Sequence, residues 1–335
     1  SILFVIGMHR GVSGVLYARL AGDAIAMFVG FVLIRHSLVL RFRRDLLVEH
    51  LKFGVPLLPA SVAFWAISYA DRWFLVRFTD LTAVGVYAVA VKLGTRRRLL
   101  ITAFQLAWGP FAYAHAKEPG AGRLFARVLT IYTAVASGFA LALGLAAPEA
   151  LAWLVPDSYR GAALPGTLLA FGVVAFGGYT VAGIGANLAK RTHYQVWAAF
   201  SAAVVTIGLS AALVVPFRLL GVSAATLAGF AVSAVILYVL SQRAHPFPHC
   251  GLRALSLYGL ALGAWIAGAA GVAALEANGQ YALGVALRVG TFVGYAALAA
   301  YLARRIASSA ALEGPLVDPG QPVPPMPRAS TTETL

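Results

Sequence analysis

Ionisable residues stand inside several long apolar stretches of this chain, where charge is expensive. Lys92 and Arg96 are four residues apart, and no acidic residue lies in the same stretch to neutralise them. A charge at the centre of a membrane span costs on the order of 2.5–3.5 kcal/mol on insertion scales. Unpaired cations at this depth should therefore face a water-filled cavity, and the species that such a cavity would hold is an anion.

A second group of polar residues lies in the preceding apolar stretch. Trp65, Tyr69 and Arg72 are spaced so that they share one face of a helix, and Asp71 adjoins Arg72. Aromatic rings stack on sugar rings, and arginine binds phosphate through two parallel hydrogen bonds. This face could bind a sugar phosphate, although Trp, Tyr and Arg also collect at membrane–water interfaces without binding a ligand.

Arg19 and Asp23 form a third candidate group. They are four residues apart in the first apolar stretch, so they share a helix face. They are either part of a binding surface or an ion pair that merely lowers the cost of insertion. Arg288, in the last apolar stretch, is close enough to the end of that stretch for its side chain to extend to the interface, and it is not expected to belong to the site.

The sequence carries no arrangement that is typical of an enzyme. It has no acidic pair, Ser–His–Asp set, glycine-rich phosphate loop or metal-ligand cluster at useful spacing. His245, His249 and Cys250 fall in the segment HPFPHC, where two prolines prevent a regular helix, and an interfacial loop is favoured over a metal site. We therefore predict a protein that is not an enzyme and has no cofactor and no metal. The lack of a Walker motif argues against ATP-driven pumping, so an ion gradient, substrate concentration or a separate subunit would drive any transport.

The elements that must position these residues are membrane helices. The chain is 60% hydrophobic and 11% charged, whereas soluble domains are about half apolar and a quarter charged. About 20 apolar residues span roughly 30 Å of hydrocarbon as a helix. We predict an all-α, polytopic bundle of about nine transmembrane helices, at residues 12–34, 54–77, 83–111, 128–147, 162–186, 195–215, 221–241, 254–275 and 281–303.

The third predicted span is the least regular. It contains Lys92 and the run Arg96–Arg98, with a half-length apolar piece on either side. Either one continuous helix turns these side chains toward a watery cavity, or the helix breaks at the arginines. Continuity is favoured because the alternation of charge in the later loops depends on it.

The net charge of +14 is divided unevenly between alternate loops. Loops that follow odd-numbered spans hold most of the Lys and Arg residues, and the intervening loops hold few. The positive-inside rule then places the basic loops and the C-terminus in the cytoplasm. Since these residues are dispersed between spans, binding of nucleic acid is not expected. With nine spans and a cytoplasmic C-terminus, Ser1 would lie outside the cell. Further spans upstream of Ser1 would explain this arrangement.

The second and third spans resemble a family of transporters through the strings FGVPLLPASVAFWAISYADRWFLVRF, VGVYAVAVKLG and LLITAFQLAWGPF. Later stretches continue the likeness, namely ARVLTIYTAV, APEALAWLVPDSYRGA and the segment ending LAKRTHY. In order and spacing they are similar to the Wzx-type oligosaccharide (polysaccharide) flippases of the multidrug/oligosaccharidyl-lipid/polysaccharide exporter superfamily. The resemblance covers about residues 8–240.

This resemblance implies a MATE-like architecture of two six-helix bundles around a central cavity. Most of the first bundle would be missing, as in an N-terminally truncated chain. The implied division is the last part of the N-terminal bundle at 1–36, a cytoplasmic linker at 37–53, the C-terminal six-helix bundle at 54–241, two extra helices at 254–303 and a disordered cytoplasmic tail at 304–335.

The implied activity is transfer of an undecaprenyl-pyrophosphate-linked oligosaccharide across the bacterial inner membrane by alternating access, for surface polysaccharide such as lipopolysaccharide. The implied partners are this lipid-linked oligosaccharide, membrane lipid, H⁺ or Na⁺ as a coupling ion, and the polysaccharide polymerase machinery. The positions that match the cavity-lining pattern of the family are Arg19, Asp23, Arg72, Lys92 and Arg96.

Three other functions stay open on the sequence. An exporter of small cationic drugs or ions would need an acidic cavity, against which Lys92 and Arg96 argue. A membrane glycan polymerase or ligase usually needs a large external loop, and the longest one predicted here is about 148–161. The third possibility is that the chain is a fragment that does not transport anything.

Overall fold

The computed structural model describes residues 11–35, 42–55, 58–95, 98–244 and 251–312. The regular elements of this described part are all helical, as the sequence predicts. The helices are α1 (Gly11–Ile34), α2 (Arg44–Gly54), α3 (Leu58–Phe78), α4 (Leu81–Thr95), α5 (Arg98–His115), α6 (Ala121–Leu154), α7 (Ala163–Ala182), α8 (Ile184–Leu188), α9 (His193–Ala244), α10 (Gly251–Ala277) and α11 (Tyr281–Leu312), with a 3₁₀ helix at Asp157–Ala162.

Several of these helices are suited to a membrane. Six helical segments of the described part are long and apolar enough to cross one: Leu16–Ile34, Ala121–Leu154, Asp157–Leu188, His193–Ala244, Gly251–Ala277 and Tyr281–Leu302. The chain is therefore a multi-pass membrane protein. The predicted count of nine spans is not reproduced one for one. Helix α3 carries three charged residues, and the third predicted span is described as α4 and α5 on either side of residues 96–97. The sixth and seventh predicted spans are both contained in α9.

The 52 residues of α9 form two helices rather than one. A straight helix of this length would measure roughly 78 Å, more than twice the thickness of the hydrocarbon core. The break lies at Arg218, whose backbone has φ 45° and ψ −121°, two residues after Pro216. Beyond it the chain turns back, so that Gly229 packs closely against Thr206. Residues 193–217 and 219–244 are therefore antiparallel arms, which correspond to the predicted spans 195–215 and 221–241.

Helices α4 and α5 follow α7 in the same direction. Gly94 of α4 packs against residues 166–170 of α7, and the Gln105 side-chain amide of α5 donates a hydrogen bond to Thr180 Oγ1 at 3.0 Å. Between residues 94 and 105 the chain therefore advances along α7 by a similar number of residues, which means that α4 and α5 run parallel to α7. The predicted span 83–111 is described on either side of residues 96–97, as α4 and α5, and residues 96–97 themselves lie outside the described residues. The two helices nevertheless cross the bundle along one path.

Loops that are predicted to be basic lie at one end of the bundle, and loops that are predicted to have few basic residues lie at the other. Asp80, Gly161 and Arg218 come from three predicted external loops, and they line one open cavity of about 550 Å³. At the other end, the Ala186 N–H donates to Ser241 Oγ at 3.1 Å. That end carries the basic residues Lys117, Arg123, Arg127, Lys190, Arg191, Arg243 and Arg253.

The chain divides into two compact units, Ser1–Lys52 and Phe53–Leu335. In the first unit, the apolar segment Leu16–Ile34 of α1 has no buried residue. At the start of α2, outside the apolar helices, Arg43 forms an ion pair with Asp45 at 2.5 Å. The hydrogen bond from Arg43 lowers the pKa of the Asp45 carboxyl. The second unit contains the packed core, in which α7 lies between α4, α6 and α9.

Arg288 of α11 is held between two carboxylates. Its side chain is 14% exposed, and it contacts Glu149 of α6 and donates to Glu276 Oε1 of α10 at 2.9 Å. Glu149 and Glu276 both lie in loops that are predicted on the external side, so the position of Arg288 near that interface stays a prediction, and the structure adds the two carboxylates that neutralise it. The two carboxylates come from other helices, so neither could be assigned to Arg288 from local spacing. The ion pairs join the α10–α11 pair to the rest of the bundle.

We expect Arg288→Met to destabilise the protein, because it leaves two neighbouring carboxylates without their cation. Glu149 and Glu276 are 48% and 39% exposed, so solvent reduces the cost. A loss of about 1–2 kcal/mol is expected, or a fall of roughly 2–8 °C in the unfolding temperature in detergent. The control is Arg160→Met, which breaks an exposed pair with Asp157 at 2.6 Å and should change little. Equal effects of the two substitutions would contradict the role assigned to Arg288.

Candidate functional site

The exposed face of α3 brings three of the predicted residues together. Trp65, Tyr69 and Arg72 are all exposed. The ring centroids of Trp65 and Tyr69 are 4.8 Å apart, and the Arg72 guanidinium carbon is 5.9 Å from the Tyr69 centroid. Arg72 also donates to the Ser68 carbonyl at 2.9 Å. These side chains form a continuous aromatic and cationic strip, which can stack on a sugar ring while presenting a guanidinium to phosphate.

Asp71 lies on the opposite, buried face of α3. It is 5% exposed, and its carboxylate accepts hydrogen bonds from the Tyr87 hydroxyl of α4 and from Thr226 Oγ1 of α9, the latter at 2.9 Å. Successive helix positions are about 100° apart, so the residue next to an exposed Arg72 can be fully enclosed. The structure thus separates Asp71 from the exposed strip to which the sequence analysis assigns it. We call Asp71, Tyr87 and Thr226 the carboxyl–hydroxyl cluster.

The sequence analysis missed Tyr87 and Thr226. Each lies in a mainly apolar stretch, VGVYAVAV or VSAATLAG, in which no charged residue marks a site. They are 16 and 155 positions from Asp71, so neither helical nor strand periodicity could connect them to it. The only available signal was the acidic residue itself, since a carboxyl in a membrane helix needs partners.

Lys92 is an exposed cation in the last turn of α4. It lies on the side of the helix opposite to Ala83, Ala90 and Gly94, which are buried. Within the described part of the chain its ammonium group has no ion pair or hydrogen bond. The negative end of the helix dipole offsets part of the cost of its charge. An exposed cation without a neutralising carboxylate is what an anion-binding site needs. Arg96 lies outside the described residues.

Arg19 and Asp23 form an ion pair on α1, in the first unit of the chain. Arg19 Nε lies 3.7 Å from Asp23 Oδ2, and the two side chains are 82% and 74% exposed. Exposed pairs of this kind contribute about 0–1 kcal/mol, so the pair itself does little for stability.

The described residues contain no group of three His, Cys, Asp or Glu side chains that could hold a metal ion. His245, His249 and Cys250, weighed as metal ligands on the sequence, lie outside those residues. What the described geometry offers is an exposed strip on α3, an exposed cation on α4 and a buried carboxyl between α3, α4 and α9. Such a set can bind and release charged groups without covalent chemistry.

Comparison with known proteins yields one similarity. Residues 1–104 match the sequence model of a family described as polysaccharide biosynthesis protein. The match covers under a third of the chain, and it includes every residue proposed for the site, from Arg19 to Arg96. No curated protein and no solved structure matches the chain. The family match and the membrane helices together support a role in polysaccharide biosynthesis or export.

Proposed function

We propose that the protein moves a lipid-linked oligosaccharide across the bacterial inner membrane by alternating access, as a step in surface polysaccharide biosynthesis. The observation that carries the proposal is the match of residues 1–104 to a polysaccharide biosynthesis family, in a chain built of apolar membrane helices. Saccharide chains of this kind are made on a lipid carrier and must cross a layer that excludes them. A multi-pass helical protein is suited to that step.

The exposed groups of α3 and α4 support a cargo that contains both sugar and phosphate. Trp65 and Tyr69 offer ring faces for the saccharide, while Arg72 and Lys92 offer positive charge for a pyrophosphate. In this proposal the lipid tail stays in the bilayer, and the polar head passes along the protein as one group of helices rocks against another. No bond is made or broken, so the protein acts as a transporter and not as an enzyme.

The alternative of a drug exporter is less well supported by the described part of the chain. Binding of a cationic drug needs an accessible carboxylate. The carboxyl within α3 is buried and accepts hydrogen bonds from two hydroxyls, whereas the exposed charged residues of α3 and α4 are all cations, namely Arg72, Arg77 and Lys92. The charge pattern therefore favours an anionic cargo.

We expect Lys92→Ala to reduce export of surface glycan by at least about tenfold, because an anion loses its cationic partner at a depth where water cannot replace it. The measurement is surface glycan in cells whose own copy of the gene is deleted and replaced by the variant. Lys92→Arg keeps the charge and should restore most of the export.

Two controls make this experiment specific. The amount of variant protein in the membrane should equal that of the unmodified protein, since Lys92 is exposed and supports no packing in the described structure. Lys117→Ala removes an exposed lysine from the basic end of the bundle and should leave export unchanged. Normal surface glycan in the Lys92→Ala strain would remove the argument for an anionic cargo at this position.

A further inference from the structure

The carboxyl–hydroxyl cluster stands out because an acidic group is enclosed in the membrane-spanning unit and no cation among the described residues contacts it. Asp71 is 5% exposed, and the residues that contact its carboxylate oxygens through hydrogen bonds are Tyr87 and Thr226. Arg72 acts on it electrostatically from the next position, but its guanidinium is turned to the exposed side of α3 and donates to the Ser68 carbonyl. An ionised carboxylate is costly in such surroundings, and a protonated one is much cheaper.

The hydrogen bonds around Asp71 can be satisfied with or without a proton on the carboxyl. Thr226 Oγ1 lies 2.9 Å from Asp71 Oδ1 and 3.1 Å from the Val222 carbonyl oxygen, yet a hydroxyl has a single hydrogen to donate. When Asp71 is ionised, Thr226 donates to Oδ1. When Oδ1 carries a proton, Asp71 donates to Thr226 Oγ1, which rotates its hydrogen to the Val222 carbonyl. Tyr87 donates to the other carboxyl oxygen in both states.

The cluster also lies close to an open cavity at one end of the bundle. Asp71, Tyr87 and Thr226 are seven, six and eight residues from Phe78, Leu81 and Arg218, which places all three roughly 9–12 Å from the same end of the bundle. The open cavity of about 550 Å³ at that end is lined by Ala83 and Val86 of α4 and by Leu219 of α9, among other residues. These residues are within one helical turn of Tyr87 and Val222.

We propose that Asp71, Tyr87 and Thr226 form a proton-binding site, at which the Asp71 carboxylate takes up a proton from the cavity and releases it again. The uptake forms one O–H bond at Asp71 Oδ1 and turns one hydroxyl hydrogen, and it needs no repacking of α3, α4 and α9. The groups that face the carboxyl from the helices packed on α3 are two hydroxyls, the Tyr87 phenol and Thr226 Oγ1, and the charged group beside it on α3 is Arg72. That this proton drives transport rests on the proposed function; the proton site itself does not.

The test is pH-difference infrared spectroscopy of the whole protein in lipid vesicles, across the pH range in which it stays folded. A protonated carboxyl in apolar surroundings should give a C=O stretching band that titrates, is lost in Asp71→Asn and is kept in Asp157→Asn, a control at an exposed carboxylate. Thr226→Val and Tyr87→Phe should shift the band, because each removes one hydrogen-bond partner. These two variants test the site even if Asp71→Asn does not fold.

Three results would overturn the proton site. The first is a spectrum of the unmodified protein that equals that of Asp71→Asn, and the second is a band that Thr226→Val and Tyr87→Phe leave in place. The third is a band that responds to sodium at constant pH and not to pH. A separate measurement of glycan export with and without a pH gradient tests the coupling: the gradient should stimulate the unmodified protein and not Asp71→Asn. If the pH gradient does not change export, the proposed coupling is refuted, and the infrared result still shows whether Asp71 binds a proton.

Discussion

Gly229→Ala is expected to destabilise the protein by about 2–3 kcal/mol, although alanine is normally the better helix former by about 1 kcal/mol. Gly229 lies where the two arms of α9 cross. A Cβ atom at this position would lie 2.9 Å from the Ala202 carbonyl oxygen and closer still to Thr206 Oγ1. Thr206 is fully buried and the carbonyl belongs to a helix, so neither can move aside cheaply. The arms would have to separate.

The matched control is Gly208→Ala on the first arm of α9. A Cβ atom there meets nothing within 4 Å, so this substitution should raise stability slightly through helix propensity. The measurement is thermal unfolding of both variants in the same detergent, in which opposite signs are expected. If both substitutions raise the unfolding temperature, the close packing of the two arms is refuted.

The second large effect is expected for Gly144→Ala, which should loosen the attachment of α10 to the bundle by about 2–3 kcal/mol. Gly144 of α6 lies where α7 and α10 approach together. Its Cβ atom would lie 2.6 Å from the Trp265 ring of α10 and closer still to the Thr167 methyl group of α7. Both of these side chains are buried, so the clash must be relieved by moving a helix.

A double-mutant cycle makes this prediction specific. Thr167→Ser removes the methyl group that clashes and keeps the hydroxyl that donates to the Ala163 carbonyl at 2.9 Å. Combined with Gly144→Ala, it should recover part of the lost stability, while alone it should cost a little through the small cavity it leaves. Gly263→Ala on α10 is the single-site control, because a Cβ atom there meets nothing within 4 Å. Strictly additive effects of the two substitutions would show that the clash does not occur.

Properties that depend on neighbouring positions of one helix could be predicted well. The spacing of Trp65, Tyr69 and Arg72 placed them on one face, and they do form a strip. The spacing of Arg19 and Asp23 likewise gave an ion pair. The all-helical, multi-pass character followed from composition and from the length of the apolar stretches. Each of these depends only on the period and rise of a helix, which are the same in every protein.

Properties that depend on contacts between distant segments could not be predicted. Asp71 was grouped with the exposed residue beside it, but α4 and α9 pack on the other side of α3 and enclose it. Arg288 is neutralised by Glu149 and Glu276, which lie on two other helices and could not be assigned to it from the sequence. In both cases the outcome was decided by which helices come together. Which helices come together depends on side chains that are far apart in the chain, and on small residues such as Gly144 and Gly229 that allow helices to pack closely.

The amino-acid sequence was enough to establish a helical membrane protein with one strongly basic end, since apolar length and charge pattern follow directly from residue order. The partners of the buried charges were decided by tertiary packing, and for Asp71 one of them depends on the folding of α9 into two antiparallel arms. This folding placed Thr226 beside Asp71, because a hydroxyl that lies 155 positions away reaches a carboxyl only when its helix packs against it.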